Sequence, residues 1–285
     1  MTESLAVPMV VRSLLFVPGG RPEMLAKVGR CRPDAVVADL EDAVAAGDKD
    51  CARDATLAAL RAARPGAGQV LLRINPPDTP WHAADRAVTA EGIQDGSIDG
   101  VVLPKYERTA QLNEVRAALP GRARVVVGLE SALGVADSRP LLAEGPDAAY
   151  FGAEDLIADL GGRRTASGTE VLYARCQVRL AAHLAGVPSI DQAVVAVQDG
   201  DAFRADAERA RDLGYHGKIC LHPRQVEMAH QAFTPSAEET AHARAVIAAA
   251  EAGVGVVDGH MVDAAHVAMA RGVLARMDSA REGSA

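Results

Sequence analysis

The chain has 285 residues, 49% of them apolar, and a formal charge of −8. That length and composition can bury a large core, which excludes an intrinsically disordered chain. With a pI of about 5.5 there is no global basic field to draw nucleic acid or an anionic membrane, so any anionic ligand must be held by a local cluster.

The opening MTESLAVPMVVRSLLFVPGG carries Glu3 where a signal peptide has basic residues, and Arg12 interrupts its apolar run. No stretch approaches the length of a membrane span. Cys31, Cys51, Cys176 and Cys220 are scattered without CxxC spacing, which argues against a zinc knuckle or a disulfide framework and for a reduced, cytoplasmic setting.

Short β-rich apolar runs then alternate with alanine-rich amphipathic segments, the pattern of repeated βα units around a parallel sheet. The predicted strands are SLLFV, AVVADL, VLLRI, GVVLP, RVVVGLE, AAYFG, SIDQAV and GKICL. Predicted helices between them include KDCARDATLAALRAA, RTAQLNEVRAAL and TEVLYARCQVRLAAHLAG, the last stopped by a C-terminal glycine. Eight such units suit a closed (β/α)8 TIM barrel over residues 1–233. An open doubly wound sheet is the alternative, but no GxGxxG or GxxxxGK follows any strand. Residues 234–285 read as a C-terminal helical arm or lid: a loop near FTPSAEE, a helix, a Gly-rich hairpin or loop at VGVVDGHMVD and a final helix.

A barrel places its active site at the carboxyl ends of the strands, and every predicted strand has a charged residue there. In order these are Arg21, Glu41 with Asp42, Arg73, Lys105, Glu130, Glu154 with Asp155, Asp191 and His222. An Asp after a strand also reads as a helix cap, so Asp191 has that alternative. Lys105 and His222 have the alternative of ordinary ion-pair residues. Glu41, Asp42, Glu130 and Asp155 differ, because convergent carboxylates raise one another's pKa unless a cation lies among them. Oxygen ligands without Cys or paired His select Mg2+ over Zn2+, with Mn2+ as the other candidate. Arg21 and Lys27, followed by Arg30 and Arg32, form a basic cluster at a helix start marked by Pro22, where phosphate is favoured, or else a solvated helix face.

The phrases RSLLFVPGGRPEMLAK, VVADLEDAV, LLRIN, LPK, GLESALG, FGAEDLIADLG, YARCQVRLAAHLAGVPSID, GKICLHPRQV and GHMVD occur in that order along essentially the whole chain. Together they resemble the citrate lyase β-subunit-like branch of the HpcH/HpaI aldolase/citrate lyase family. The resemblance implies a trimeric or hexameric Mg2+-dependent carbon–carbon lyase. Its substrate would be a malyl-CoA, citramalyl-CoA or similar 3-hydroxyacyl-CoA thioester, yielding acetyl- or propionyl-CoA and a 2-oxoacid. Alternatives are a citryl-acyl-carrier-protein lyase subunit and a malyl-CoA-type thioesterase.

By motif, the resemblance makes Glu130 and Asp155 metal ligands, and Glu41 and Asp42 groups that reach metal-bound water. Arg73 becomes the substrate clamp. Phe16, Arg21 and Lys27 become coenzyme A contacts, and Asp263 an acid supplied by a neighbouring subunit. Ser131, Ala132 and Leu133 follow Glu130 where the family often has an Arg or Thr-Ala-Arg, and DAAH lacks the family's usual proline.

Overall fold

The longer strands are largely apolar on both faces, which is what a parallel sheet wrapped by helices requires. The computed structural model describes Met9 and residues 11–121, 123–252 and 255–282. Its main strands are β1 (Ser13–Pro18), β2 (Ala35–Asp39), β3 (Gln69–Arg73), β4 (Gly100–Leu103), β5 (Arg124–Leu129), β6 (Ala148–Phe151), β7 (Ser189–Asp191) and β8 (Gly217–Cys220). They pair in chain order into a closed parallel barrel. Leu14 closes it, standing opposite Ala35 on one side and Ile219 on the other. This is the expected (β/α)8 barrel. Of SIDQAV only the first three residues pair; the carbonyl of Gln192 instead accepts from the Lys218 ammonium at 2.8 Å.

The helices on the outside are α1 (Pro22–Leu25), α2 (Lys49–Ala62), α3 (His82–Gln94), α4 (Thr109–Ala118), α5 (Ala132–Ala136), α6 (Ser138–Ala143), α7 (Ala153–Asp159), α8 (Thr169–Ala185), α9 (Gly200–Asp212) and α10 (Pro223–Phe233). Helix α8 stops where expected: Gly186 takes φ +68°, a left-handed turn that costs glycine nothing. Among the described residues no helix is long and apolar enough to cross a membrane.

The period-two alternation decides which strand residues meet inside the barrel. Leu14, Val37, Leu71, Val102, Val126 and Ile190 share one interior cluster with Tyr150. One step further toward the carboxyl ends, the same inward rows carry Phe16, Asp39 and Arg73. The interior therefore changes from hydrocarbon to charge just below the mouth.

The chain divides into two compact units between Ala229 and His230. The second holds α11 (Ala237–Glu251), a hairpin of β9 (Val256–Val257) and β10 (His260–Met261), and α12 (Ala264–Glu282). Helix α11 starts on a capping box: Ser236 accepts from the Glu239 N–H, and Glu239 accepts from the Ser236 N–H. The Gly-rich stretch is a hairpin, turned by Asp258 and Gly259 at φ +49° and +78°. Ala243, Val246 and Ala270 form this unit's small core.

Candidate active site

Arg73 and Asp39 are partners in the β2–β3 ladder and both end their strands. Arg73 Nε and Nη2 donate to Asp39 Oδ1 and Oδ2, each at 2.7 Å. Its Nη1 lies 2.7 Å from Glu41 Oε2, and the guanidinium sits 5.1 Å from the centre of the Phe16 ring. The fork is thus locked from behind, and Nη2 also stands 3.8 Å from Asp42 Oδ2.

Glu41 Oε1 accepts from Lys105 Nζ at 2.5 Å, and the same ammonium stands 3.4 Å from Asp155 Oδ1. Burial raises the Glu41 pKa, and Arg73 and Lys105 oppose the shift. Lys105 has φ +48°, a rare backbone for a residue with a side chain. That turn sends its backbone N–H onto Glu130 Oε1 at 2.8 Å. Lys105 is therefore built into the cluster and is no ordinary surface ion pair.

Glu130 follows β5 and is almost fully buried. Its carboxyl is pushed up to about 7 by burial first and then by the charges of Glu41 and Asp155, against Arg73 and Lys105. Gly152 makes this placement possible, since a Cβ there would lie 2.6 Å from Glu130 Oε2. Asp155, in the first turn of α7, lines a cavity of about 170 Å³ together with Phe16, Asp42, Arg73, Glu130 and Tyr150. The adjacent Glu154 also borders it but is engaged by Arg164, whose Nε donates to Glu154 Oε1 at 2.9 Å.

Among the described residues no three His, Cys, Asp or Glu side chains converge as a complete protein-built metal site. Glu41 is engaged by Arg73 and Lys105 and Glu154 by Arg164, leaving Asp42, Glu130 and Asp155 as the carboxylates facing the cavity. Carboxylates with space for water and substrate oxygens are the donor set of a hard cation such as Mg2+, and a poor one for Zn2+. The buried Glu130, whose charge is disfavoured as it stands, fits a cation in particular.

Other expected residues lie elsewhere. Arg21 immediately precedes α1, as its sequence position implies, but α1 is a single turn and the Arg21 Nε is bonded to Glu23 Oε1 at 2.5 Å. Arg21 and Lys27 are exposed and do not line the cavity that Phe16 lines. Asp191 neither caps a helix nor faces the cavity. It is fully buried and accepts from Arg175 Nε and Nη2 at 2.7 Å each and from Lys218 Nζ at 2.5 Å, while Asp199 caps α9. His222 Nδ1 accepts from the Arg224 N–H at 3.2 Å. Asp263 Oδ1 accepts from the N–H groups of Ala265 and His266 at 2.9 and 3.1 Å, so it does cap α12. Those bonds, the His266 N–H first, lower its pKa.

Three contributors escape sequence reasoning by motif. Asp39 was legible from alternation, because Ala35, Val37 and Asp39 share the inward row. Tyr150 was legible in the same way, as the inward partner of Gly128. Lys49 carried no local signal: its ammonium donates to the carbonyls of Leu40 and Glu41 at 2.8 and 2.7 Å and to Asn75 Oδ1 at 2.7 Å, tying the end of β2 to the segment after β3.

Residues 12–223 match the model of the HpcH/HpaI aldolase/citrate lyase family. The chain belongs to that family of lyases and aldolases. It is 44% identical to a citrate lyase subunit beta-like protein of Deinococcus radiodurans, over 94% of this chain and 98% of the relative. It is 33% identical to a (3S)-malyl-CoA thioesterase of Cereibacter sphaeroides, over 94% and 95%. Its fold superposes with a TM-score of 0.79 on the protein CitE of Mycobacterium tuberculosis, solved in complex with magnesium, acetoacetate and coenzyme A. That match has 32% identity and covers 93% of this chain and 97% of CitE.

Proposed function

We propose that this protein is a Mg2+-dependent carbon–carbon lyase acting on a small 3-hydroxyacyl-CoA thioester such as malyl-CoA or citramalyl-CoA, which it interconverts with acetyl- or propionyl-CoA and a 2-oxoacid. The observation that carries this reading is one cavity uniting the Glu130–Asp155 carboxylate pair with the locked Arg73 fork. The magnesium, acetoacetate and coenzyme A of the CitE complex support the same ligand classes here.

Glu130 and Asp155 would hold Mg2+, Asp42 would face its water from the cavity wall and Glu41 would act through Arg73 and Lys105. The ion when bound would supply a Lewis acid and template for the hydroxyl and carboxylate of the 2-oxoacid half. Cleavage takes the proton from the hydroxyl as that oxygen becomes the 2-oxoacid carbonyl, and breaks the bond from its carbon to the neighbouring carbon. That electron pair goes into the thioester, whose oxygen gains enolate charge until a proton returns to the enolate carbon. Arg73, in the cavity lining, would meet that oxygen and, with Asp39 and Glu41 behind it, needs no reorientation as the charge develops. Asp263 of a neighbouring subunit in a trimer or hexamer moves the proton at the enolate carbon. Arg21 and Lys27 take coenzyme A phosphates at the exposed rim. Phe16, whose ring lies 5.1 Å from the Arg73 guanidinium, would take the thioester end of coenzyme A.

A cytoplasmic enzyme of this kind is tested by offering the purified protein malyl-, citramalyl- and methylmalyl-CoA with and without Mg2+. Release of a 2-oxoacid only when Mg2+ is present supports the lyase. Release of the free hydroxy acid instead points to thioester hydrolysis, the activity named for the Cereibacter sphaeroides relative. Turnover confined to a citryl group on an acyl-carrier protein replaces the proposal with a complex subunit.

A further inference from the structure

One polar group inside the barrel has no task in this reaction. Tyr150 is an inward residue of β6, 1% exposed, and its Oη is buried with no acceptor at hydrogen-bond geometry. A buried hydroxyl without an acceptor is unfavourable, and phenylalanine would fill nearly the same volume without that penalty. The hydroxyl therefore calls for a partner.

Its surroundings point to Glu130. Tyr150 stands opposite Gly128 in the β5–β6 ladder, and a Cβ at Gly128 would lie 2.3 Å from Tyr150 Oη. The phenol thus fills the side-chain space that Gly128 leaves empty, on the inward row that leads two residues on to Glu130. Tyr150 and Glu130 line the same cavity. Glu130 has one oxygen committed, Oε1 to the Lys105 N–H, and its Oε2 rests against Gly152.

We propose that Tyr150 is a positioning residue for Glu130, its O–H taken up by the carboxylate when Mg2+ is bound, so that Glu130 is then held between two neutral donors, the Lys105 N–H and the Tyr150 phenol. Neutral donors fix where a carboxylate points without cancelling the charge that a divalent cation needs, which is how outer groups tune metal ligands. Lys105 achieves its half through a left-handed backbone and Tyr150 through an absent side chain at Gly128. The inference rests on Glu130 being a Mg2+ ligand.

Calorimetric titration of Mg2+ into the full-length protein tests it. Tyr150→Phe removes one oxygen and keeps the ring, so the melting temperature should hold while the Kd for Mg2+ weakens about tenfold. Glu130→Gln, measured beside it, separates the two assumptions. If Glu130→Gln loses Mg2+ binding and Tyr150→Phe binds within twofold of wild type, the phenol is only filler and this inference alone is overturned. If Glu130→Gln binds Mg2+ like wild type, the metal assignment falls and takes the inference with it.

Discussion

Arg73 and Asp39, 34 residues apart in the chain, meet as neighbouring strand ends through two parallel hydrogen bonds of 2.7 Å. A guanidinium fork fits this geometry and an ammonium does not. Arg73→Lys keeps the charge and loses the second point of attachment. Its kcat should fall by roughly one hundred-fold or more if Arg73 meets the developing oxyanion. An unchanged kcat with a raised KM would make Arg73 a simple binding residue.

Glu130→Gln and Asp155→Asn each remove a charge with little change in volume. Both variants should fold as wild type and lose Mg2+-dependent turnover if, as proposed, these two carboxylates are the ion's protein ligands. Wild-type rates in both at limiting Mg2+ would show that the cation binds elsewhere.

The elevated Glu130 pKa makes metal-free stability depend on pH. The folded carboxyl titrates at about 7 against an ordinary 4.5, so between those values the folded state holds a proton the unfolded chain has released. Stability is then complete at acid pH and declines as pH rises toward neutrality, by up to about 3 kcal/mol from this group. Urea midpoints taken with EDTA should show the decline in wild type and its loss in Glu130→Gln. Parallel curves for the two proteins would refute the shift.

Asp263 offers a clean separation of capping from chemistry, since asparagine caps a helix as well as aspartate does. Asp263→Asn should keep the wild-type melting temperature and lose about one hundred-fold or more in kcat if the carboxylate moves a proton. Full activity would leave Asp263 as the α12 cap alone. Mixed oligomers of Asp263→Asn and Glu130→Gln then report whether the residue acts across subunits, because only a crossing arrangement rebuilds sites with both groups intact.

Lys218 is wholly buried and its ammonium donates to Asp191, to Asp206 at 2.6 Å and to the Gln192 carbonyl. Lys218→Met would leave the two carboxylates sharing the single charge of Arg175 in the interior and should cost about 3–5 kcal/mol in urea unfolding. A loss below about 1 kcal/mol would mean that the network relaxes or admits water.

The architecture was legible in the chain because barrel strands announce themselves locally. Eight apolar runs, a helix stop at Gly186 and a charged residue after each run follow from side-chain size, alternation and backbone freedom, which are properties of neighbours in sequence. The same alternation marks Asp39 and Tyr150 as inward. What each charged residue then touches is decided at long range. Lys105 reaches Glu41 across 64 positions, Asp191 turns to Arg175 and Lys218 and away from the mouth, and Phe16 parts from Arg21 and Lys27. Burial and the sum of nearby charges set the proton affinity of Glu130, and neither exists until the strands have closed.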